Sequence, residues 1–503
     1  MRDEGIGRWL PRRRLKDPAK PALVFGDEVI TYGEFADTAA RLGTALRARG
    51  VAPGESVAFF GENSPHFLTV MFAAAHIGAV FVPVNTRLAP PEIAHVLADS
   101  GARVVVHEPA AAERMAAAAP GVARVSADEL AGIAASVAEG GTATDLEPHP
   151  TDADAPAAII YTSGTTGRAK GAVLSHRNLT WVALNTIIDY DVVSSDIALM
   201  ISPLFHVASL GMGALPVLLK GATMVLEPGF EPGRALGQIA RHGVTMLSGV
   251  PTTYQMMADH PEWAATDLSS LRKLTCGGSA VPERILNAYE LRGLSFSQGY
   301  GMTETSPGAT SLSPAMTRRK QGSVGLPHFF TDVRVRREDG RIADTGEIGE
   351  VEITGPNVFL RYHGLPEATA AAFTDDGWFR SSDLGYLDDD GYLFIADRLK
   401  DMIISGGENI YPAEVENLLS DIPGVSGVAV IGMPDEQWGE VPWAVVTMRD
   451  GKTLDTAAAR AHLDGRLARF KLPKRVVVVD ELPRTASGKV RKAQLRESLA
   501  STV

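Results

Sequence analysis

The chain is predicted to be an α/β protein in two parts. A large N-terminal domain of mostly parallel sheets with helices, built from more than one subdomain, precedes a small mobile α+β C-terminal domain. Three observations carry this. The 503 residues exceed one ordinary domain, so at least two hydrophobic cores are expected. Strand-like runs alternate with helix-like stretches through the first part, the pattern of parallel strands joined by helical crossovers. That alternation ends in a charged stretch, Asp397-Arg398-Leu399-Lys400-Asp401, and a compact self-contained series follows.

The elements justify this in order. Ala22-Leu23-Val24-Phe25 and Val29-Ile30-Thr31-Tyr32 are apolar strand candidates around a turn at Gly26-Asp27. A helix is expected over 33–49, a strand over 57–60, a helix over 66–77, and a strand over 79–84. A helix over 90–99 then leads to a strand over 103–107. Residues 140–156, rich in Gly, Thr, Asp, Glu and Pro, read as a surface connection. A strand over 157–161 follows, then a second alternating series over 199–297, and a strand over 392–395. The small domain should hold a helix over 414–419, strands over 428–431 and 444–447, a helix capped by Asp455 and running to 468, and a strand over 476–479. The division falls at Lys400, giving domains 1–399 and 400–503.

Composition narrows the function classes. Apolar residues make up 45% and charged residues 21%, which suits a globular protein without a membrane span. A net charge of -12 argues against nucleic-acid partners, because phosphate backbones select basic surfaces. The single cysteine, Cys276, excludes a disulfide framework and points to a reducing, cytoplasmic setting. Cys276 itself reads as a small buried filler rather than a nucleophile. The N-terminus is positively charged with no apolar core behind it, unlike a secretory signal. Its Arg12-Arg13-Arg14 cluster offers at most weak peripheral contact with anionic lipid. A solvated charged end is the plainer reading.

The most informative stretch is Tyr161-Thr162-Ser163-Gly164-Thr165-Thr166-Gly167-Arg168-Ala169-Lys170-Gly171. Glycines let the backbone approach closely, N–H and O–H groups donate to phosphate oxygens, and the lysine supplies charge. A nucleotide is the expected ligand. A P-loop would need Ser or Thr directly after the lysine and a helix beyond it. Here Gly171 follows Lys170, and Ala172-Val173-Leu174 reads as a strand. An ordinary Gly/Ser/Thr hairpin turn is the alternative.

Further motifs come in a fixed order: Pro203-Leu204-Phe205-His206, Cys276-Gly277-Gly278-Ser279-Ala280, Gln298-Gly299-Tyr300-Gly301-Met302-Thr303-Glu304, Gly377-Trp378-Phe379-Arg380-Ser381-Ser382-Asp383, Asp397 to Asp401, and Pro483-Arg484-Thr485-Ala486-Ser487-Gly488-Lys489. With the phosphate loop, this set resembles the adenylate-forming superfamily over essentially the whole chain. Ser405-Gly406-Gly407-Glu408-Asn409-Ile410-Tyr411-Pro412 makes it most similar to the fatty-acyl-CoA synthetase and acid–CoA ligase branch.

The resemblance implies two half-reactions. A carboxylate attacks the α-phosphorus of ATP and pyrophosphate leaves; the thiol of CoA then attacks the acyl carbon and AMP leaves. ATP, CoA and a small carboxylic acid are the implied partners, with Mg²⁺ as cofactor. By resemblance, Thr162, Ser163, Gly164, Thr165, Thr166 and Gly167 hold the β- and γ-phosphates with Lys170 nearby. Glu304 holds Mg²⁺ and Thr303 donates to the α-phosphate; a helix N-cap at Thr303 is the ordinary alternative. Gly278, Ser279, Ala280, Gly299, Tyr300, Gly301 and Met302 form the adenine slot. Asp383 and Arg398 take the ribose, and Lys489 bridges carboxylate and α-phosphate. Lys400 is the hinge of a rotation that presents Gly406 and Gly407 to CoA. Trp438 lines the CoA entrance or belongs to the small core. His206, Ala208 and Met212 mark the acyl pocket. Two departures from the family pattern stand out: Ala169 where proline is frequent, and Ser382 where glycine is usual.

The resemblance thus implies an AMP-forming acid–thiol ligase for a medium- or long-chain fatty acid. An aryl-acid CoA ligase is the alternative, as is an adenylating enzyme that delivers its acyl group to a carrier protein or a nitrogen nucleophile. A homodimer is among the compatible assemblies.

Overall fold

The computed structural model describes residues 4–119, 121–139, 147–162, 169–278, 281–398, 401–405, 408–435, 438–449, 451–464, 466–467, 469–484 and 490–500. The chain divides into two compact units. One comprises Met1–Val333 with Ile353–Phe379, the other Arg334–Glu352 with Arg380–Val503. The second unit thus takes in segments that precede Lys400 in the chain.

In the first unit, one sheet runs in the order Arg361–Tyr362, Lys170–Ser175, Pro156–Thr162, Val80–Val84, Ser56–Phe60, Ala102–His107, Ala123–Ser126. Its centre is parallel, as the alternating pattern predicts: Ser56–Phe60 pairs in parallel with both Val80–Val84 and Ala102–His107. These strands are buried on both faces and read as continuous apolar runs. A second strand series runs Ser323–Pro327, Thr310–Leu312, Phe296–Tyr300, Lys273–Gly277, Met246–Gly249, Ile197–Met200, Thr223–Leu226, Pro21–Phe25, Glu28–Thr31. Cys276 is buried among Leu247, Tyr254, Leu274 and Phe296, and burial pushes its thiol far up, so it fills the core rather than reacting.

Local chemistry explains where helices start. Thr31 and Glu34 form a capping box that opens the helix Tyr32–Ala48. Ser64 accepts from the Phe67 amide and Pro65 follows at the first helical position, opening Pro65–His76. Aromatic rings then lock helix to sheet, with Phe67 edge-on to both Phe59 (5.3 Å) and Phe81 (5.2 Å).

In the second unit, residues 383–387 pair antiparallel with residues 393–398. The strand expected over 392–395 therefore extends to Arg398, because Asp397 and Arg398 keep pairing with Leu384 and Asp383. The small sheet has the order Glu408–Ile410, Ile403–Ser405, Gly439–Met448, Val425–Asp435, with Arg475–Val478 alongside Gly439–Met448. Asp455 caps its helix as expected, accepting from the Ala458 amide at 2.7 Å. That helix is Thr456–Leu463 and stops short of residue 468, because Asp464 turns to extended geometry at ψ 134°. Among the described residues, no helix is long and apolar enough to cross a membrane.

One titrating pair sits at the start of the helix Pro65–His76. Glu108 accepts from Ser64 Oγ at 2.6 Å and faces His66 Nδ1 at 3.2 Å. The hydrogen bond to Glu108 holds His66 above its ordinary value of 6.5, although burial opposes this. Burial pushes the Glu108 carboxyl up, yet hydrogen bonds from His66 and Ser64 outweigh it and leave it below 4.5. The His66 contribution to stability is full below 6.5 and lost as pH rises through its raised value. The Glu108 contribution is present above 4.5 and lost as pH falls through its lowered value. Glu108→Gln should therefore lower the melting temperature most near about pH 5.5 and much less by about pH 8. Melting scans of both proteins across pH check this; a difference that grows toward alkaline pH would refute the coupling.

Candidate functional site

The phosphate-loop candidates hang from a hairpin. Pro156–Thr162 and Lys170–Ser175 pair antiparallel, with Thr162 directly opposite Lys170. This strand–loop–strand arrangement excludes a P-loop, whose lysine opens a helix. Ser163, Gly164, Thr165, Thr166 and Gly167 lie outside the described residues. The outer strand of the hairpin pairs in turn with Arg361–Tyr362, placing Tyr362 opposite Ala172. His363 N–H donates to Gly171 O at 2.7 Å and Leu360 N–H to Val173 O at 3.0 Å, which extends the join. Lys170 Nζ consequently stands 5.3 Å from the centre of the Tyr362 ring.

Tyr362 also reaches the second motif. Its hydroxyl donates to Glu304 Oε1 at 2.8 Å, while Phe359 N–H donates to Glu304 O at 2.8 Å. Burial and then the Glu304 charge hold the Tyr362 hydroxyl far above its ordinary value, so it stays a proton donor. Lys170, Tyr362 and Glu304 thus form one cluster of cation, phenol and carboxylate. Sequence reasoning missed Tyr362. Its only signal is an aromatic flanked by Arg361 and His363 after the apolar run Val358-Phe359-Leu360. Thr303 is not a helix N-cap: Thr303–Thr305 is a single 3₁₀ turn whose N-cap is Met302, and Thr305 Oγ1 receives the Met302 N–H at 3.0 Å. Among the described residues no group of three or more His, Cys, Asp or Glu could hold a metal. A carboxylate such as Glu304 suits a hard cation completed by phosphate oxygens.

Buried asparagines hold the turn that carries Glu304. Asn357, fully buried, donates through Nδ2 to Thr305 O at 3.0 Å and Gly308 O at 2.6 Å. Its Oδ1 accepts from Thr331 Oγ1 at 2.8 Å, and its backbone oxygen accepts from Ser306 Oγ at 2.7 Å. Asn185, on the helix His176–Asp189, donates to Thr331 Oγ1 at 3.1 Å and accepts from Phe330 N–H at 2.9 Å. Asn178 on the same helix donates to Pro356 O and Val358 O at 2.8 and 2.7 Å. These amides satisfy carbonyls that no ladder reaches.

The adenine-slot candidates lie at adjacent strand ends, where Lys273–Gly277 and Phe296–Tyr300 run parallel with Gly277 opposite Gly299. Ser279 and Ala280 lie outside the described residues. Gly278 has φ +85°, which a side chain would strain. Gly301 is required for a reason other than ligand space: a Cβ there would stand 1.5 Å from Pro307 O. The folding back of residues 301–307 imposes that glycine, and Tyr300 is half-buried beside it.

Asn63 pins the turn before His206, donating to Ser202 O at 2.9 Å and accepting from Leu204 N–H at 2.7 Å. The half-buried His206 ring lies 4.7 Å from Phe205. Ala208 and Met212 follow on the π-helical turn Ala208–Ala214, a local form frequent at functional sites. Ala208 is exposed and Met212 half-buried.

In the second unit, Asp383 is opposite Arg398 across the hairpin, so the two proposed ribose contacts share one strand pair. Asp383 is only 5% exposed. Its neighbour Ser382 adopts φ +59°, the conformation that glycine takes at no cost. Anchors on both sides impose it. Ser382 N–H donates to Glu350 Oε1 at 3.2 Å, and Ser381 Oγ donates to Val351 O at 2.6 Å and accepts from Asp383 N–H at 3.0 Å. Trp438 is 43% exposed and is not small-domain core. Lys400, Gly406, Gly407 and Lys489 lie outside the described residues.

Comparison with known proteins gives a consistent family. The AMP-binding enzyme profile matches residues 10–363, and the AMP-binding enzyme C-terminal domain profile matches residues 414–489. A feruloyl-CoA synthase from Amycolatopsis is 49% identical over 99% of both chains. A long-chain-fatty-acid–CoA ligase from Mycobacterium tuberculosis is 40% identical over 99% of both. The structure of o-succinylbenzoate coenzyme A synthetase from Bacillus subtilis, in complex with ATP and magnesium ion, superposes with a TM-score of 0.88 at 33% identity. That match covers 97% of this chain and 99% of the other.

Two substitutions test the geometry. Asn357→Ala strands two carbonyls and a hydroxyl in a buried site, at about 1–3 kcal/mol for a group left bare, so it should destabilise by about 2–4 kcal/mol. Chemical denaturation reads this, and a loss below about 1 kcal/mol would refute the hub role. Ser382→Gly relieves about 1–2 kcal/mol of left-handed strain against about 0.5–1 kcal/mol of added chain freedom. A small rise in the unfolding midpoint is expected; a fall would mean that Ser382 is not strained.

Proposed function

The chain belongs to the AMP-binding enzymes, in the acid–CoA ligase branch of the adenylate-forming superfamily, and from that premise we propose that it activates an aryl-substituted carboxylic acid with ATP and passes the acyl group to CoA. The observation that carries the aryl reading is the 49% identity, end to end, to a feruloyl-CoA synthase, against 40% to a fatty-acid ligase. The second reading, a medium- or long-chain fatty acid, is favoured by the small apolar residues after His206 and by that 40% relative.

The first step brings a carboxylate to a polyphosphate, so positive charge and fixed dipoles must offset their repulsion. Lys170, at the mouth of the hairpin, supplies charge to the β- and γ-phosphates held by Thr162 to Gly167. Glu304, oriented by the Tyr362 hydroxyl, presents its carboxylate as a ligand for Mg²⁺. When bound, that ion would neutralise phosphate charge and orient the leaving pyrophosphate. Thr303 donates to the α-phosphate. Gly278, Ser279, Ala280 and Gly299 to Met302 accommodate the adenine, while Asp383 accepts from the ribose hydroxyls with Arg398 beside it. Lys489 bridges the attacking carboxylate oxygen and the α-phosphate as the new P–O bond forms and pyrophosphate departs.

In the second step the CoA sulfur attacks the acyl carbon and AMP leaves with the bonding electron pair. Lys400 serves as the hinge between the steps. Gly406 and Gly407 leave room for the pantetheine arm, and the exposed Trp438 is available at the CoA entrance. His206 orients the carboxylate, with Ala208 and Met212 along the acyl chain.

Pyrophosphate release over a panel of aryl and alkanoic acids, with and without CoA, tests this. Aryl acids should give the highest kcat/KM, with thioester formed only when CoA is present. Pyrophosphate without any CoA thioester would overturn the ligase assignment. Faster turnover of alkanoic acids would select the fatty-acid reading.

A further inference from the structure

We propose that His328 sets substrate specificity by accepting a hydrogen bond from a hydroxyl on the ring of the acyl substrate, so that the enzyme selects phenolic aryl acids over unsubstituted ones. The inference rests on the aryl-acid reading above and deepens it.

The argument starts from an orphaned atom. His328 is 1% exposed. Its Nδ1 is hydrogen-bonded to the carboxylate of Asp189, the last residue of the helix His176–Asp189. Its Nε2 is buried with no hydrogen-bond partner among the described residues. A buried polar atom left bare costs about 1–3 kcal/mol, so an ordinary core histidine would have both nitrogens satisfied. The backbone fixes the ring: His328 N–H donates to Ala309 O at 3.0 Å, and Thr331 N–H donates to His328 O at 2.8 Å. The imidazole therefore has little freedom to seek a partner elsewhere.

The bare nitrogen lies on the acyl side. A Cβ built on Gly308 would stand 2.9 Å from His328 Nε2 and 3.3 Å from Met212 Sδ. Met212 is one of the acyl-pocket candidates, so Nε2 and the Met212 sulfur flank the same spot. A side chain at 308 would press on both. Tyr190 stands edge-on to the imidazole, with ring centroids 6.0 Å apart at 81°. The surroundings are thus aromatic, glycine-lined and closed by a thioether, which is deformable and can yield to a ligand.

The chemistry of the missing partner follows from Asp189. A carboxylate can only accept, so Nδ1 carries a hydrogen, and an imidazole that carries its one hydrogen there presents a lone pair at Nε2. The partner must therefore donate. An alkyl chain has no donor and would leave Nε2 bare. A phenol supplies an O–H on a flat ring. A site built to bond a substrate hydroxyl rejects the analogue that lacks it much more strongly than an apolar pocket rejects a methylene.

The test is kcat/KM for 4-hydroxycinnamate against cinnamate, by pyrophosphate release with CoA present. Wild type should favour the hydroxylated acid by at least about tenfold. His328→Phe should bring the ratio to about one while holding cinnamate within about threefold of wild type. Asp189→Asn, whose amide can donate to Nδ1 and so move the ring hydrogen to Nε2, should also collapse the ratio with the imidazole kept. It carries the readout if His328→Phe does not fold. A wild-type ratio near one, or equal loss of both acids in the variants, overturns the assignment alone. Turnover of alkanoic acids and of neither aryl acid overturns the substrate reading and this assignment with it.

Discussion

The first unit depends on one constraint: the turn 301–308 must fold back on itself with residues 305–308 buried, and its carbonyls must still be satisfied. Asn357 meets this by donating to Thr305 O and Gly308 O at once. Thr331, Asn185 and Asn178 extend the same network to the helix His176–Asp189 and to the segment 356–358. Such a network is worth having only when every member is bonded, and here each amide finds its partners. Its consequence is positional. Glu304 rides on this turn, and the segment that follows Asn357 brings Tyr362 to meet it.

That meeting joins three groups from distant parts of the chain. Lys170 enters from the hairpin, Tyr362 from a strand far along the chain, and Glu304 from the turn. The phenol lies against both charged groups, under the cation and donating to the carboxylate. Thr162 and Lys170, paired directly opposite each other, close the base of the hairpin that carries this frame.

The second unit solves a different problem at Ser382. A left-handed residue beside Asp383 is held by hydrogen bonds on both sides although no glycine is present. The conformation belongs to the ladder that keeps Asp383 opposite Arg398, and the serine tolerates it. Backbone strain kept next to a candidate binding carboxylate is consistent with a geometry set by function rather than by local preference.

Much of this was legible in the residues. Alternating strand and helix patterns, the Asp455 cap and the strand–loop–strand form around Lys170 are local, and short-range physics specifies them. Strand ends were less so. Asp397 and Arg398 look like a charged break until their partners Leu384 and Asp383 are known, because ladder pairing rather than polarity decides where a strand stops. The same holds for the site. Glu304, Lys170 and Asp383 are visible as motifs, whereas Tyr362, Asn357 and His328 are not. A lone tyrosine, asparagine or histidine acquires meaning only from what lies across from it. By itself the sequence determined the elements, the order of the motifs and the class of chemistry. Tertiary structure alone decided which carbonyls Asn357 must satisfy, which hydroxyl steadies Glu304 and which imidazole nitrogen is left without a donor. Those are contacts between residues far apart in the chain, and no local pattern encodes them.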